Sequence, residues 1–487
     1  MLGVSTTGNA TLIAYDDKPI LATDPWFGDE NPAYFGSWGL SHRIPPACKD
    51  DILNAKYIWF SHGHPDHLNG DSLLKIRGRH ILLAAHVGGR IEHELRAQGF
   101  AVSILPDRQW VELSPRVRVF CISTMIQDSI LLVDVNKRLF VNLNDAGSRD
   151  CTMLIRKIVA GYEHSYMMCL SGYGDADMIN FYDESGIFIA PPAGLKPPPG
   201  RQISLRALSL GIRNAIPFSS FHSYQRTDSV WAQNYVTPLA DYARGFDHKN
   251  HNFVPAFSHI DCATGEVIPL NPPSMETVMH PAEDFGDNWS DSLERGDLAK
   301  LADYFRSREL VRDYLSFINF CVGGSDNIVS LAGTKGRGIT FEVPRNSLMT
   351  AVDYEIFDDL LIGNFMKTTL HKFNSLYDGD FNFAVTKFGD NGRAKTHREV
   401  DAYLREYRLR AGADWYYHRL YENTLDRVRS KAIAYLPRES STWRVAYQMY
   451  RMLVASRLSR DHTSLIALLA RRRALLPRFC CGTGATR

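Results

Sequence analysis

The chain has 487 residues, 45% of them hydrophobic and 22% charged, the make-up of an ordinary folded protein. Lys and Arg total 55 against 54 Asp and Glu, so a net charge near +1 supplies no overall field for nucleic acid or an anionic membrane, and a small molecule is the expected partner. The opening Met1-Leu2-Gly3-Val4-Ser5-Thr6-Thr7 lacks the basic and apolar regions of a signal peptide, and no apolar run nears the roughly 20 residues of a membrane span, which points to a cytoplasmic location. Eight scattered cysteines with no C-x-x-C pair argue against a disulfide framework or a zinc-thiolate site. The sequence sets no oligomeric state.

Up to about residue 145 strands alternate with turns and short helices, as in a layered α/β domain. The runs Asn9–Tyr15 and Ile20–Trp26 flank the turn Asp16-Asp17-Lys18-Pro19. Tyr57-Ile58-Trp59-Phe60 reads as a buried strand, and Ser61-His62-Gly63-His64-Pro65-Asp66-His67-Leu68 follows it. Three imidazoles and a carboxylate within six positions, straight after a rigid element, are nitrogen and oxygen ligands for a transition metal. If the chain leaves the strand extended, His62 and His64 project to one side, while the adjacent Asp66 and His67 face different directions. That spacing suits two neighbouring ions, His62 and His64 on one and Asp66 and His67 on the other, an arrangement that activates a bridging water.

Helices are expected over 71–75 and 90–95, around a buried strand over 80–85. Alternation marks strands at 109–113, 117–122, 129–133 and 139–145. A helix over 151–158, a strand over 166–170 and the glycine- and acid-rich loop 171–177 follow. The proline-rich tract 190–200 is expected to be irregular, and Ala215–Arg226 reads as a strand running into a polar loop. From about 285 the character changes to amphipathic helices running from 291 to 318, a short strand over 336–344, a mixed acidic and apolar run over 352–365, and charged helices between 398 and 458. The expected organisation is a domain over 1–285, an extension over 286–470 and a disordered tail over 471–487.

His62-Gly63-His64-Pro65-Asp66-His67 matches H-x-H-x-D-H, and by it the chain resembles the metallo-β-lactamase superfamily. The first hairpin, ending in Asp24-Pro25, resembles that superfamily's opening hairpin, and Leu139–Asp145 resembles its strand ending in a metal-bridging aspartate. The resemblance implies an α/β fold, a four-layer αββα sandwich, here followed by a mainly helical α+β extension. It also implies two divalent ions on His62, His64, Asp66, His67 and Asp145, with His222, after a late strand, as the last imidazole. An ordinary packed histidine is the alternative for His222, and His164 and His259 are weaker candidates. The superfamily's further histidine, ahead of the strand that precedes the bridging aspartate, is missing from Ser123–Asp128. Either Asp128 or Gln127 substitutes through oxygen, favouring iron or manganese over zinc, or one position stays empty and the centre is mononuclear. His86 and His93 are read as structural.

Phe357–Gly363 and the loop 172–181 resemble the metallo-β-lactamase-type portion of the CMP-N-acetylneuraminate hydroxylase family, which are iron-dependent monooxygenases of a nucleotide-linked sugar acid. That family also carries a Rieske cluster on C-x-H and C-x-x-H ligands, and none of the eight cysteines forms either motif. The expected reaction is therefore hydrolysis of an ester, phosphoester, lactone or amide in a small, sugar-linked or phosphorylated molecule, with Asp66 orienting the metal-activated water. An iron-dependent monooxygenase served by a separate electron donor is the alternative, and a metal-containing binding protein without turnover is a third class. Arg226, beside His222, is the candidate for holding a substrate phosphate or carboxylate. Asp353, Asp358 and Asp359 could reach a site, but clustered acids on a helix are more often on a solvated face or paired with Lys367 and Arg345, and that is the expectation here.

Overall fold

The computed structural model describes residues 1–28, 32–170, 178–196, 198–376, 381–422 and 445. The loop 171–177 and the expected tail 471–487 lie outside them.

Strands β1 (Leu2–Thr7), β2 (Thr11–Asp16) and β3 (Lys18–Thr23) form an antiparallel meander. After the short β4 (Trp38–Leu40), helix α1 (Pro46–Asn54), β5 (Tyr57–Phe60), α2 (Gly70–Lys75), β6 (His80–Ala84), α3 (Arg90–Ala97) and β7 (Ala101–Leu105) add three parallel strands through helical crossovers. A second sheet begins with the antiparallel β8 (Trp110–Ser114), β9 (Val117–Ser123), β10 (Ser129–Val135) and β11 (Arg138–Asn144). Helix α4 (Thr152–Val159) leads to β12 (His164–Cys169), parallel to β11, and β13 (Phe181–Asp183) then leaves this sheet. The proline-rich tract turns once as a 3₁₀ helix and then supplies the rigid N-terminus of α5 (Pro199–Leu210), where proline's missing N–H costs nothing. Next come β14 (Asn214–Pro217), β15 (His222–Tyr224) paired with β4, β16 (Asn252–Phe253) beside β14, and β17 (Ser258–Asp261) with β18 (Val267–Pro269), which return to the edge of β1.

The first sheet has the order β18-β17-β1-β2-β3-β5-β6-β7, the second β16-β14-β12-β11-β10-β9-β8. Val4, Leu12, Ala14 and Leu21 of the first meet Val119, Leu131, Val133 and Phe140 of the second in a shared core. Ile13, Tyr15, Ala22 and Ile58 face the other way, onto Ile52 of α1 and Leu73 of α2, while Leu132 and Val141 pack on Ile155 of α4 and Ala207 of α5. Both faces of each sheet are thus covered, which is why their strands read as continuous apolar runs, and the layering is αββα.

The extension is α+β, with a sheet of its own. After α6 (Asp297–Arg306) and α7 (Glu309–Tyr314), the helix expected to run to 318 stops. Phe317-Ile318 open β19 (Phe317–Val322), rich in aromatic and β-branched residues, which turns through Gly323 and Gly324, both at positive φ, into β20 (Ser325–Ser330). Strand β21 (Gly338–Glu342), α8 (Arg345–Asp353), α9 (Phe357–Gly363), β22 (Lys367–His371), a π-helix (Phe383–Asn391) and α10 (His397–Ala411) follow. The sheet order is β13-β22-β21-β19-β20, so β13 crosses the boundary expected at 285. Met1–Arg410 form one compact unit; the second, Ala411–Arg487, includes helix α11 (Ala413–Tyr417).

Candidate metal centre

The H-x-H-x-D-H loop leaves the carboxyl end of β5 and is closed by α2, whose N-cap Asn69 accepts from Ser72 N–H at 3.0 Å. Asp24, at the end of β3, lies fully buried beneath the loop. It accepts Ser61 N–H at 2.7 Å on one oxygen and Asn144 Nδ2–H at 2.7 Å on the other, and His67 Nδ1 lies 3.4 Å away. Asn144 also donates to Ser61 Oγ at 2.7 Å, so the end of β11 is tied to the end of β5 and Asp145 is delivered to the loop.

Two groups of ligand atoms result. His62 Nε2 and His64 Nδ1 face each other at 2.9 Å, and a carboxylate oxygen of Asp145 lies within 4.8 Å of one nitrogen of each ring. His67 Nε2 stands 3.3 Å from Asp66 Oδ2 and 3.5 Å from Asp145 Oδ2. Asp145 therefore lies against both groups, held on its other side by Ser219 Oγ, which donates at 2.8 Å. Asp66 is fixed by Tyr34 OH at 2.5 Å and Asn9 Nδ2 at 2.8 Å.

His222, on β15, is buried and stacked on Trp38 at 3.4 Å and 3°. Among the described residues neither of its ring nitrogens has a hydrogen bond, and its charged form would be coupled to Asp66 and Asp145. His67 Nε2 and Asp128 Oδ1 are likewise buried without a well-formed hydrogen bond. Buried polar atoms left this way carry a cost of about 1–3 kcal/mol each unless something binds them. Imidazole and carboxylate groups that converge here, with both His222 nitrogens unbonded among the described residues, fit a divalent cation.

Protonation follows the same geometry. Burial drives His222 down to about 3 and His62 well below the ordinary histidine range, so both stay neutral. Burial would lower His67 too, but Asp66 and Asp145 outweigh it and hold it well above that range. Burial would raise Asp66 and Asp145, yet His67 keeps both below the usual carboxylate range.

The remaining sequence candidates separate clearly. Asp128 lines a cavity of about 480 Å³ together with His64, Asp66, Asp145 and Asp358. Gln127 does not reach it: its amide donates to Tyr403 OH at 2.9 Å and Val87 O at 3.1 Å. Arg226 is not placed to hold a substrate. It is wholly buried and spent on Asp228 at 2.8 Å, Asp287 at 2.8 Å and Phe35 O at 2.9 Å, with its guanidinium over Phe365. His86 bonds Tyr407 OH, while His164 and His93 are exposed and His259 bonds Ser5.

Three residues beside the site are not assigned to it by sequence: two acids are expected on a solvated face, and Lys387 is missed. Asp358 and Asp359 are buried, not solvated: Asp358 Oδ2 is 3.0 Å from His64 Nε2, and Asp359 lies in the same group. Asp353 does face solvent, paired with Lys300 at 3.0 Å. Lys387, on the π-helix, places its ammonium 3.5 Å from Asp128 and 4.0 Å from Asp358. The available signal was Phe357-Asp358-Asp359-Leu360-Leu361-Ile362, where apolar residues flank the acids on every side of one short helix and leave no face for water.

Two facing sheets between helical layers, with the H-x-H-x-D-H loop at one edge, are the metallo-β-lactamase type of fold. No family model matches the chain. The human inactive cytidine monophosphate-N-acetylneuraminic acid hydroxylase is 24% identical over 164 residues, 31% of this chain and 32% of that one. The hydroxylase of Asterias rubens is 26% identical over 135 residues, 26% of this chain and 20% of that one. The chain thus matches about a third or less of the length of these curated relatives. Among solved structures, the metallo hydrolase Igni18 of Ignicoccus hospitalis aligns at a TM-score of 0.35 and 14% identity, covering 53% of this chain and 97% of that one. CmlA, a diiron β-hydroxylase from Streptomyces venezuelae, aligns at 0.30 and 12%, covering 51% and 48%. At TM-scores this low neither likeness carries weight for the site.

Proposed function

We propose that this protein is a metal-dependent enzyme with a two-ion centre, and that it hydrolyses an ester, phosphoester, lactone or amide of a small molecule. The observation that carries the reading is Asp145, whose carboxylate lies near His62 and His64 and 3.5 Å from His67 Nε2, which supports reading it as a carboxylate shared by two ions. His62, His64 and Asp145, with Asp128 in place of a third histidine, would hold one ion; Asp66, His67, His222 and Asp145 the other. A bound pair supplies an activated water and polarises a substrate oxygen. Asp66, held by Tyr34 and Asn9, is the group placed to orient that water. The 480 Å³ cavity has room for a small substrate, with Tyr34, Trp38 and Phe383 as apolar walls and Arg149 as a cation.

Asp128 favours a second reading. An oxygen donor where a histidine is usual suits iron, and the partial likeness to hydroxylases agrees with an oxygenase fed by a separate electron donor. Elemental analysis of the purified protein tests the shared part: two equivalents of divalent metal are expected, and metal content unchanged after His62→Ala with His64→Ala would overturn it. Turnover of candidate substrates under labelled dioxygen with a reductant separates the two chemistries. A turned-over but unlabelled product, its oxygen drawn from water, supports hydrolysis; label from dioxygen replaces it with oxygenation.

A further inference from the structure

The structure assigns Asp358 as the positioning residue of His64, a role that rests on the metal centre proposed above. His64 Nε2 meets Asp358 Oδ2 at 3.0 Å and His64 Nδ1 meets His62 Nε2 at 2.9 Å. An ionised carboxylate only accepts, and a neutral imidazole carries one proton, so a proton given to Asp358 sits on Nε2 and Nδ1 is left bare. Nδ1 is also the nitrogen turned toward His62, its neighbour in the proposed ligand group. An outer carboxylate that takes the far N–H of a ligating histidine fixes both its tautomer and its ring orientation.

Asp358 is well placed to do this. It is 5% exposed, sits on α9 between the core residues Phe357 and Leu360, and has the Lys387 ammonium 4.0 Å from the same oxygen that faces His64. Lys387 in turn reaches Asp128 at 3.5 Å, so one cation from the π-helix ties the His64 support to the oxygen ligand candidate. The extension, far away in sequence, thereby sets the orientation of an imidazole in the H-x-H-x-D-H loop. The competing arrangement, in which Asp358, Asp359 and His64 Nε2 together hold a cation, needs Nε2 to be bare.

Three measurements on the full chain decide it: zinc per chain by elemental analysis, zinc affinity by competition with a chelator, and ¹⁵N shifts of selectively labelled histidines in the zinc-loaded protein. Asp358→Ala should keep the fold, by circular dichroism, and weaken zinc about 10–100-fold. Asp358→Asn, whose amide oxygen still accepts from Nε2–H, should recover most of that loss. The wild-type His64 ring should show a protonated Nε2 and a metal-bound Nδ1, a readout that holds even if Asp358→Ala does not fold. Metal on Nε2, an ion lost from Asp358→Asn, or a folded Asp358→Ala with unchanged affinity would overturn the assignment. Wild-type protein that takes up no metal would instead overturn the centre itself.

Discussion

Replacing Arg226 by methionine distinguishes a buried structural cation from a substrate-binding one. Methionine keeps most of the stem's volume but removes the guanidinium from Asp228, Asp287 and Phe35 O. Asp228 is 20% exposed and still receives Trp289 Nε1–H at 2.9 Å, so it recovers part of its solvation. Asp287 is fully buried and, among the described residues, keeps only Ser347, through N–H at 2.9 Å and Oγ at 2.6 Å. Breaking one side of a buried pair costs about 3–5 kcal/mol. With an unfolding entropy of roughly 2.1 cal/mol/K per residue, the Met1–Arg410 unit has about 0.9 kcal/mol/K, so the melting temperature should fall by about 3–6 °C. Thermal melts by circular dichroism read the stability, and initial rates on any accepted substrate read the site. The expected outcome is a lower melting temperature with an unchanged KM below the transition. An unchanged melting temperature, or a normal one with KM raised about tenfold, would refute the reasoning and restore Arg226 to the substrate.

His222→Ala should weaken metal binding about 10–100-fold by chelator competition while leaving the fold intact; equal affinity would make His222 a packing partner of Trp38 and nothing more. In the ion-free chain Asp66 and Asp145, against the pull of burial, keep His67 above the ordinary histidine range, so it holds a proton at neutral pH that metal must displace. Uptake at pH 7 should therefore release protons and strengthen as pH rises; calorimetry in buffers of different ionisation enthalpy that finds none released would count against His67 as a ligand. Tyr34→Phe removes the hydroxyl that holds Asp66, and turnover should drop about tenfold or more with metal content retained; undiminished turnover would separate Asp66 from catalysis.

The layered fold was legible because its strands are short apolar runs bounded by turns, and the candidate metal loop because its three imidazoles and carboxylate are contiguous. Asp145 was reachable for a different reason: the strand Leu139–Asp145 resembles the superfamily's strand that ends in its bridging aspartate. Asp358 and Lys387 were not, since their role is created only by a long-range approach to His64 and by burial that local spacing does not report. Arg226 illustrates the opposite failure. Beside a site histidine it reads as functional, and only the fold shows two carboxylates and a carbonyl already claiming it.

The pairing of β13 with β22 also orders events during synthesis. Phe181 must wait for Thr368 before the five-stranded sheet can close, whereas the strands from β1 to β12 find partners earlier, although β4 waits for β15 and the outer edge of β1 for β17. Contacts across such sequence separations form slowly, and a chain emerging from the ribosome makes its N-terminal layers first. His62 and His64 are then present on a formed loop well before Asp358 and Lys387 leave the exit tunnel. If the proposed centre holds, a nascent chain would thus carry an incomplete site whose His64 ring is still free to turn, and full metal affinity would arrive only once Asp358 and Lys387 are in place.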